Sequence, residues 1–170
     1  MRPLVISLVA IAGLGGCMTT TGGVSTGSGT GMTLSHGVGY VRDVCIAAGN
    51  RFANLQQVMK AKGFAPVPPS TYGLHAQPGG KPPGTSVVIF AENVYPGASA
   101  APTCIVAFDS SAGRSDATLA QAIAAEPSLQ LELDHGVFKD YRLVGTDLVI
   151  RPRAYAGRVR LESYWLPRRQ

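Results

Sequence analysis

Residues 103–110 read "TCIVAFDS", and the arrangement of the rest of the chain follows from whether this run is a strand. β-Branched and aromatic residues dominate it, which suits a pleated, half-buried surface. Successive side chains of a strand point to opposite faces, so Cys104, Val106 and Phe108 share one face. A similar run, "TSVVIFAEN" at 85–93, precedes it, and the connection between them holds Pro96, Gly97 and Pro102, compatible with an antiparallel pair. Further upstream, Val41, Val44, Cys45, Ala48, Phe52, Leu55 and Met59 recur at spacings of three, one, three, four, three and four. That is one stripe of an amphipathic helix over 40–62, with Gly63 as its stop and Lys60 and Lys62 in a last turn that suits the helix dipole. Cys45 lies on the stripe, so helix and strand each turn a cysteine toward the interior.

Downstream of 103–110, Ser115 or Asp116 can cap a second helix through "DATLAQAIAAE", with Leu119, Ala122 and Ile123 inward and Pro127 just past its end. Leu129, Leu131 and Leu133 then alternate with Gln130 and Glu132, a strand with one wet face. Further strands are expected at 137–144, 147–153 and 158–165, with Gly145 near a turn. Residues 65–85 carry six of the twelve prolines and no periodicity, and read as a long loop. The expected class is α+β, two helices packed on one face of a mostly antiparallel sheet.

The amino terminus has a different character. Arg2 precedes an apolar run, Leu4 to Leu14, too short for a bilayer, which needs about 20 residues. Small residues and one cysteine close it: Leu14-Gly15-Gly16-Cys17 resembles the lipobox of bacterial lipoproteins. The resemblance implies a signal peptide over 1–16, cleavage before Cys17, and acyl chains on that cysteine. Met18 stands where an aspartate would signal inner-membrane retention, which implies the outer membrane, with the domain facing the periplasm. Residues 17–35 then read as a Gly/Ser/Thr-rich tether, too poor in apolar side chains to offset backbone ordering, and 36–170 as a single domain. With Cys17 lipidated, Cys45 and Cys104 remain as an even pair in an oxidising compartment and are expected to staple the domain. No CxxC or HxxxH spacing points to a metal, and no cofactor is expected.

The formal charge of the chain is +5, from 15 Lys and Arg against 10 Asp and Glu. Its surplus is local: residues 139–170 hold eight basic side chains against Asp140, Asp147 and Glu162. Four of the eight lie in "VIRPRAYAGRVRLES", 149–163. If 154–157 is a four-residue hairpin loop, Arg153 faces Arg158 and Arg151 faces Arg160, with all four guanidinium groups on one face. Like charges across a ladder repel, and an anion would relieve them. The plainer reading is a solvated edge, which Pro152 also suits, its arginines helped by Glu162 and Asp147. The functional reading is a basic face for an acidic wall polymer, lipid A phosphates or an acidic protein. Export argues against nucleic acid.

Catalysis finds little support in the sequence. His36 ends the tether, His75 lies in the proline-rich loop, and His135 stands in "LDHGVF" beside Asp134, with no serine motif to complete a site. A small periplasmic hydrolase using His135 or His75 with a nearby serine or acid is the alternative to a non-catalytic binding or accessory module. Tyr72, Tyr95 and Tyr155 are loop tyrosines fit for a recognition rim or for covering apolar surface, and Tyr164 with Trp165 is expected to close the core.

Overall fold

Thr33 accepts a hydrogen bond from the His36 backbone and opens helix α1, Leu34–Tyr40, which continues as a π-helical turn through Ile46. A computed structural model of the chain describes residues 31–69, 78–92 and 102–166, so the stretch read as a signal peptide, Cys17, most of the stretch read as a tether, Tyr72, His75 and Tyr95 lie outside the described residues. Helix α1 begins two residues before the expected domain boundary, and Leu34 and Val38 extend its buried stripe.

The single helix expected over 40–62 is broken. Gly49, Arg51 and Phe52 have φ of 76°, 57° and 54°, and the chain turns through a short 3-10 segment at 50–52 before helix α2, Leu55–Ala61. An unbroken helix of that length would run about 34 Å at 1.5 Å per residue, whereas a sheet built of eight-residue strands is only about 25 Å deep. The break folds the stripe back on itself, and all seven of its apolar residues are buried in one core.

Eight strands form one sheet: β1 Ala65–Val67, β2 Gly79–Lys81, β3 Val88–Glu92, β4 Thr103–Asp109, β5 Leu129–Asp134, β6 Lys139–Leu143, β7 Leu148–Tyr155 and β8 Arg158–Trp165. Their order is β1-β2-β3-β4-β8-β7-β6-β5, and every neighbouring pair is antiparallel. Helix α3, Asp116–Ala124, carries the chain from β4 to β5 and starts on a capping box between Ser115 and Thr118. Helical segments followed by a four-strand meander thus occur twice, and the strand order is symmetric about the β4–β8 seam.

Register explains the core. Ile89, Val106, Leu161 and Pro152 lie in one row across four strands, and Ala91, Cys104, Ser163 and Ile150 in the next. Apolar members of these rows pack with Val38, Val41, Val44, Phe52, Leu55 and Met59 from the first helical segments and Leu119 from α3. Cys45 and Cys104 are bonded, with Cα atoms 5.9 Å apart, and both are fully buried.

Three expectations are corrected. Strands β1 and β2 occupy the stretch read as loop, and β2 is legible only in three dimensions because it is built on glycine. A Cβ on Gly80 would come within 2.8 Å of Met59 Sδ, so glycine lets α2 lie close against the strand. In β5 the alternation of leucines is interrupted by a bulge between Leu131 and Leu133, and both stay about half exposed on an edge strand. Trp165 packs against the core, but Tyr164 points to the opposite face.

Candidate functional site on the arginine hairpin

Strands β7 and β8 meet through a two-residue turn, Ala156-Gly157, instead of a four-residue loop. Both residues have positive φ, 47° and 82°, the backbone that matches the twist of a tight hairpin. Tyr155 therefore faces Arg158, Arg153 faces Arg160, and Arg151 faces Glu162. The register differs from the expected one by two residues, Arg153 facing Arg160 where Arg158 was expected. Parity is kept, so the four arginines still share the face opposite Ile150 and Leu161.

Only Arg153 and Arg160 are now like charges directly opposed among the four, and Glu162 lies between them. Its Oε2 is 3.3 Å from Arg153 Nε and its Oε1 3.0 Å from Arg160 Nε. Arg160 also donates through Nη2 to Glu92 Oε2 at 2.7 Å, and Arg158 Nε lies 3.0 Å from Asp109 Oδ1. Carboxylates on β3, β4 and β8 thus supply the relief that the sequence suggested an external anion would supply. The side chains of Arg153 and Arg158 remain 49% and 41% exposed beside these acids.

Arg151 belongs to a separate cluster. Its Nε and Nη2 donate to Asp140 Oδ1 and Oδ2 at 2.7 and 2.9 Å. Tyr164 donates its hydroxyl to Asp140 Oδ2 at 2.6 Å, and His135 Nε2 lies 3.2 Å from the same oxygen. Phe138 packs beneath, its ring centroid 3.8 Å from the guanidinium carbon of Arg151 and 4.4 Å from the His135 ring. Burial pushes the Asp140 carboxyl up, but hydrogen bonds from Arg151 and Tyr164, the Arg151 charge and the His135 contact outweigh it and hold the group below its ordinary value. The Tyr164 phenol is pushed the other way, first by burial and then by the adjacent carboxylate.

The loop after β4 closes the hairpin from below. Ser110 N donates to Gly157 O and Gly157 N to Gly113 O, each at 3.0 Å. A Cβ on Gly113 would overlap the Arg158 backbone at 2.2 Å, so only glycine permits this clamp.

The structure brings His135 to an acid, as a hydrolytic site would require, but the acid is Asp140 and not the neighbouring Asp134, which bonds Gly136 N and Lys139. Among the described residues no serine, threonine or cysteine bonds either ring nitrogen of His135. No group of three or more metal-ligating side chains occurs among the described residues. Sequence reasoning found the arginines and one of their partners, Glu162, and missed the other three; Asp147, the second acid it named, lies beside Arg142. Asp140, Glu92 and Asp109 are remote from them in the chain, and only register puts them alongside. No family model, curated protein or solved structure matches the chain.

Proposed function

We propose that the chain is a lipid-anchored protein of the bacterial envelope, attached through Cys17 to the outer membrane and facing the periplasm, whose domain is a non-catalytic binding or accessory module. The reading of the anchor rests on Leu14-Gly15-Gly16-Cys17 and on the pairing of the other two cysteines. Helices gathered on one face of the sheet would leave the arginine-bearing face for a partner. The observation that carries the binding reading is that Arg153 and Arg158, although each lies beside a carboxylate, stay 49% and 41% exposed, which would leave guanidinium donors for phosphate or carboxylate. Tyr155, 74% exposed, sits between them on the same face and completes an Arg/Tyr composition common at contact surfaces.

The full lipidated protein in neutral phosphatidylcholine vesicles, titrated with fluorescent polyphosphate, tests this. Binding is expected to weaken with salt, and Arg153→Gln/Arg158→Gln to lower the slope of log affinity against log salt by about one to two. An unchanged slope would reject the hairpin as the binding element.

A hydrolase is the second reading, favoured only by the contact between His135 and Asp140. Hydrolysis of ester or glycoside probes abolished by His135→Ala, with the fold intact, would establish it.

A further inference from the structure

The described chain begins against the hairpin. Met32 N donates to Asp109 O at 2.9 Å, and Gly31 lies so close to the Asp109 and Ser110 backbone that a Cβ would overlap both at 2.7 Å. Asp109 is the last residue of β4 and pairs with Arg158, while Ser110 holds Gly157 of the turn. The tether therefore leaves the domain at the end of the sheet where β7 turns into β8.

Because all neighbouring strands are antiparallel, this end can be traced across the whole sheet. It holds the segment leading into β1, the β2–β3 and β5–β6 connections, the loop after β4 and the β7–β8 turn. Six basic side chains border it, Lys62, Lys81, Arg114, Lys139, Arg153 and Arg158, against three acids, Asp109, Asp116 and Asp134. Two large apolar side chains stand out from it: Val137 at 92% exposure in the β5–β6 turn and Tyr155 at 74% beside the β7–β8 turn, with Lys139, Arg153 and Arg158 around them. Adjacent hairpins with exposed apolar or aromatic tips flanked by cations fit a headgroup region, where a tyrosine ring lies at the boundary and basic groups meet lipid phosphates.

We infer that this end of the sheet, with Val137 and Tyr155 at its tips, docks on the anionic phospholipid surface of the membrane that carries the protein. The inference rests on the lipid-anchor reading and names the partner of the hairpin arginines. Thirteen residues, 18–30, separate Cys17 from Gly31, so the covalent reach between them cannot exceed about 50 Å. On the lipid-anchor reading the basic end is the end at which the chain joins its anchor, and the opposite end of an eight-residue strand lies about 25 Å farther off. The acyl chains on Cys17 would supply the attachment, and the basic end would set the orientation of the domain on it.

With Cys17 lipidated and Cys45 bonded to Cys104, an introduced thiol is the single labelling site. An environment-sensitive fluorophore at Val137→Cys is compared with one at Val144→Cys, at the opposite end of the sheet, on full-length protein bound to phosphatidylcholine vesicles with and without phosphatidylglycerol. On anionic vesicles the label at 137 is expected to be quenched by brominated lipid and shielded from aqueous iodide, and the label at 144 to show the reverse. Arg153→Gln/Arg158→Gln should weaken association of the unlipidated Cys17→Ser chain with the same vesicles about fivefold per arginine. Protein that floats with vesicles through Cys17 while both labels stay equally open to iodide overturns the docking and leaves the anchor standing. Wild-type protein that fails to float on neutral vesicles overturns the anchor instead. The label pair on anionic vesicles then decides the docking alone, and absence of binding there rejects it, as does shielding by a soluble acidic polypeptide but not by lipid.

Discussion

Arg151 grips Asp140 through Nε and Nη2, at 2.7 and 2.9 Å, across the pairing of β6 with β7. The carboxylate is 3% exposed and the guanidinium 18%, so the pair is removed from most of the screening that makes surface ion pairs weak. Removing one partner strands the other. Arg151→Met is expected to cost roughly 3 kcal/mol in urea unfolding, and Asp140→Leu/Arg151→Met markedly less than the sum of the single changes. Additive losses would show that the two groups do not stabilise each other.

The same cluster sets a pH window. Asp140 titrates lower in the folded state than in the unfolded chain, so its contribution is complete above the ordinary carboxylate range, near pH 4, and is lost as pH falls through the folded value. Tyr164 titrates higher when folded, so its contribution is complete below about pH 10 and is lost as pH rises beyond it. Tyr164→Phe should flatten the alkaline limb of stability against pH and leave most of the acid limb. Asp140→Asn should reduce the acid limb.

The staple joining Cys45 to Cys104 closes a separation of 59 residues. On the chain-entropy model it contributes roughly 4 kcal/mol, so Cys45→Ala/Cys104→Ala should lower the unfolding free energy by about 2–5 kcal/mol. An equal midpoint for oxidised and reduced protein would show that the core holds without it.

The hairpin turn is not optimal as it stands. Ala156 adopts φ 47°, a region in which asparagine and glycine carry less steric cost. Ala156→Asn is expected to raise stability by about 0.5–1 kcal/mol with no change in hairpin register, measured by thermal unfolding.

Gly113→Ala acts in the opposite sense. The added methyl would sit 2.2 Å from the Arg158 backbone. A loss above about 2 kcal/mol is expected, together with faster amide exchange at Gly157, whose N–H bonds Gly113 O.

Local pattern alone supplied the buried stripe from Val41 to Met59, the strand character of 103–109 and 158–165, the Ser115 cap, and the shared face of Arg151, Arg153, Arg158 and Arg160. These follow from side-chain periodicity, which a short stretch carries within itself. Other features depend on parts of the chain that are remote from each other. The helix turns back near Gly49 so that both halves of its stripe reach one core, and Met59 lies against β2 where it is built on glycine. Arg158 and Arg160 meet Asp109 and Glu92 because β8 returns to pair with β4, and Arg151 meets Asp140 because β6 pairs with β7. Periodicity states which way a side chain points, but only register and strand order state what waits there, since they are settled by the packing of the whole chain at once.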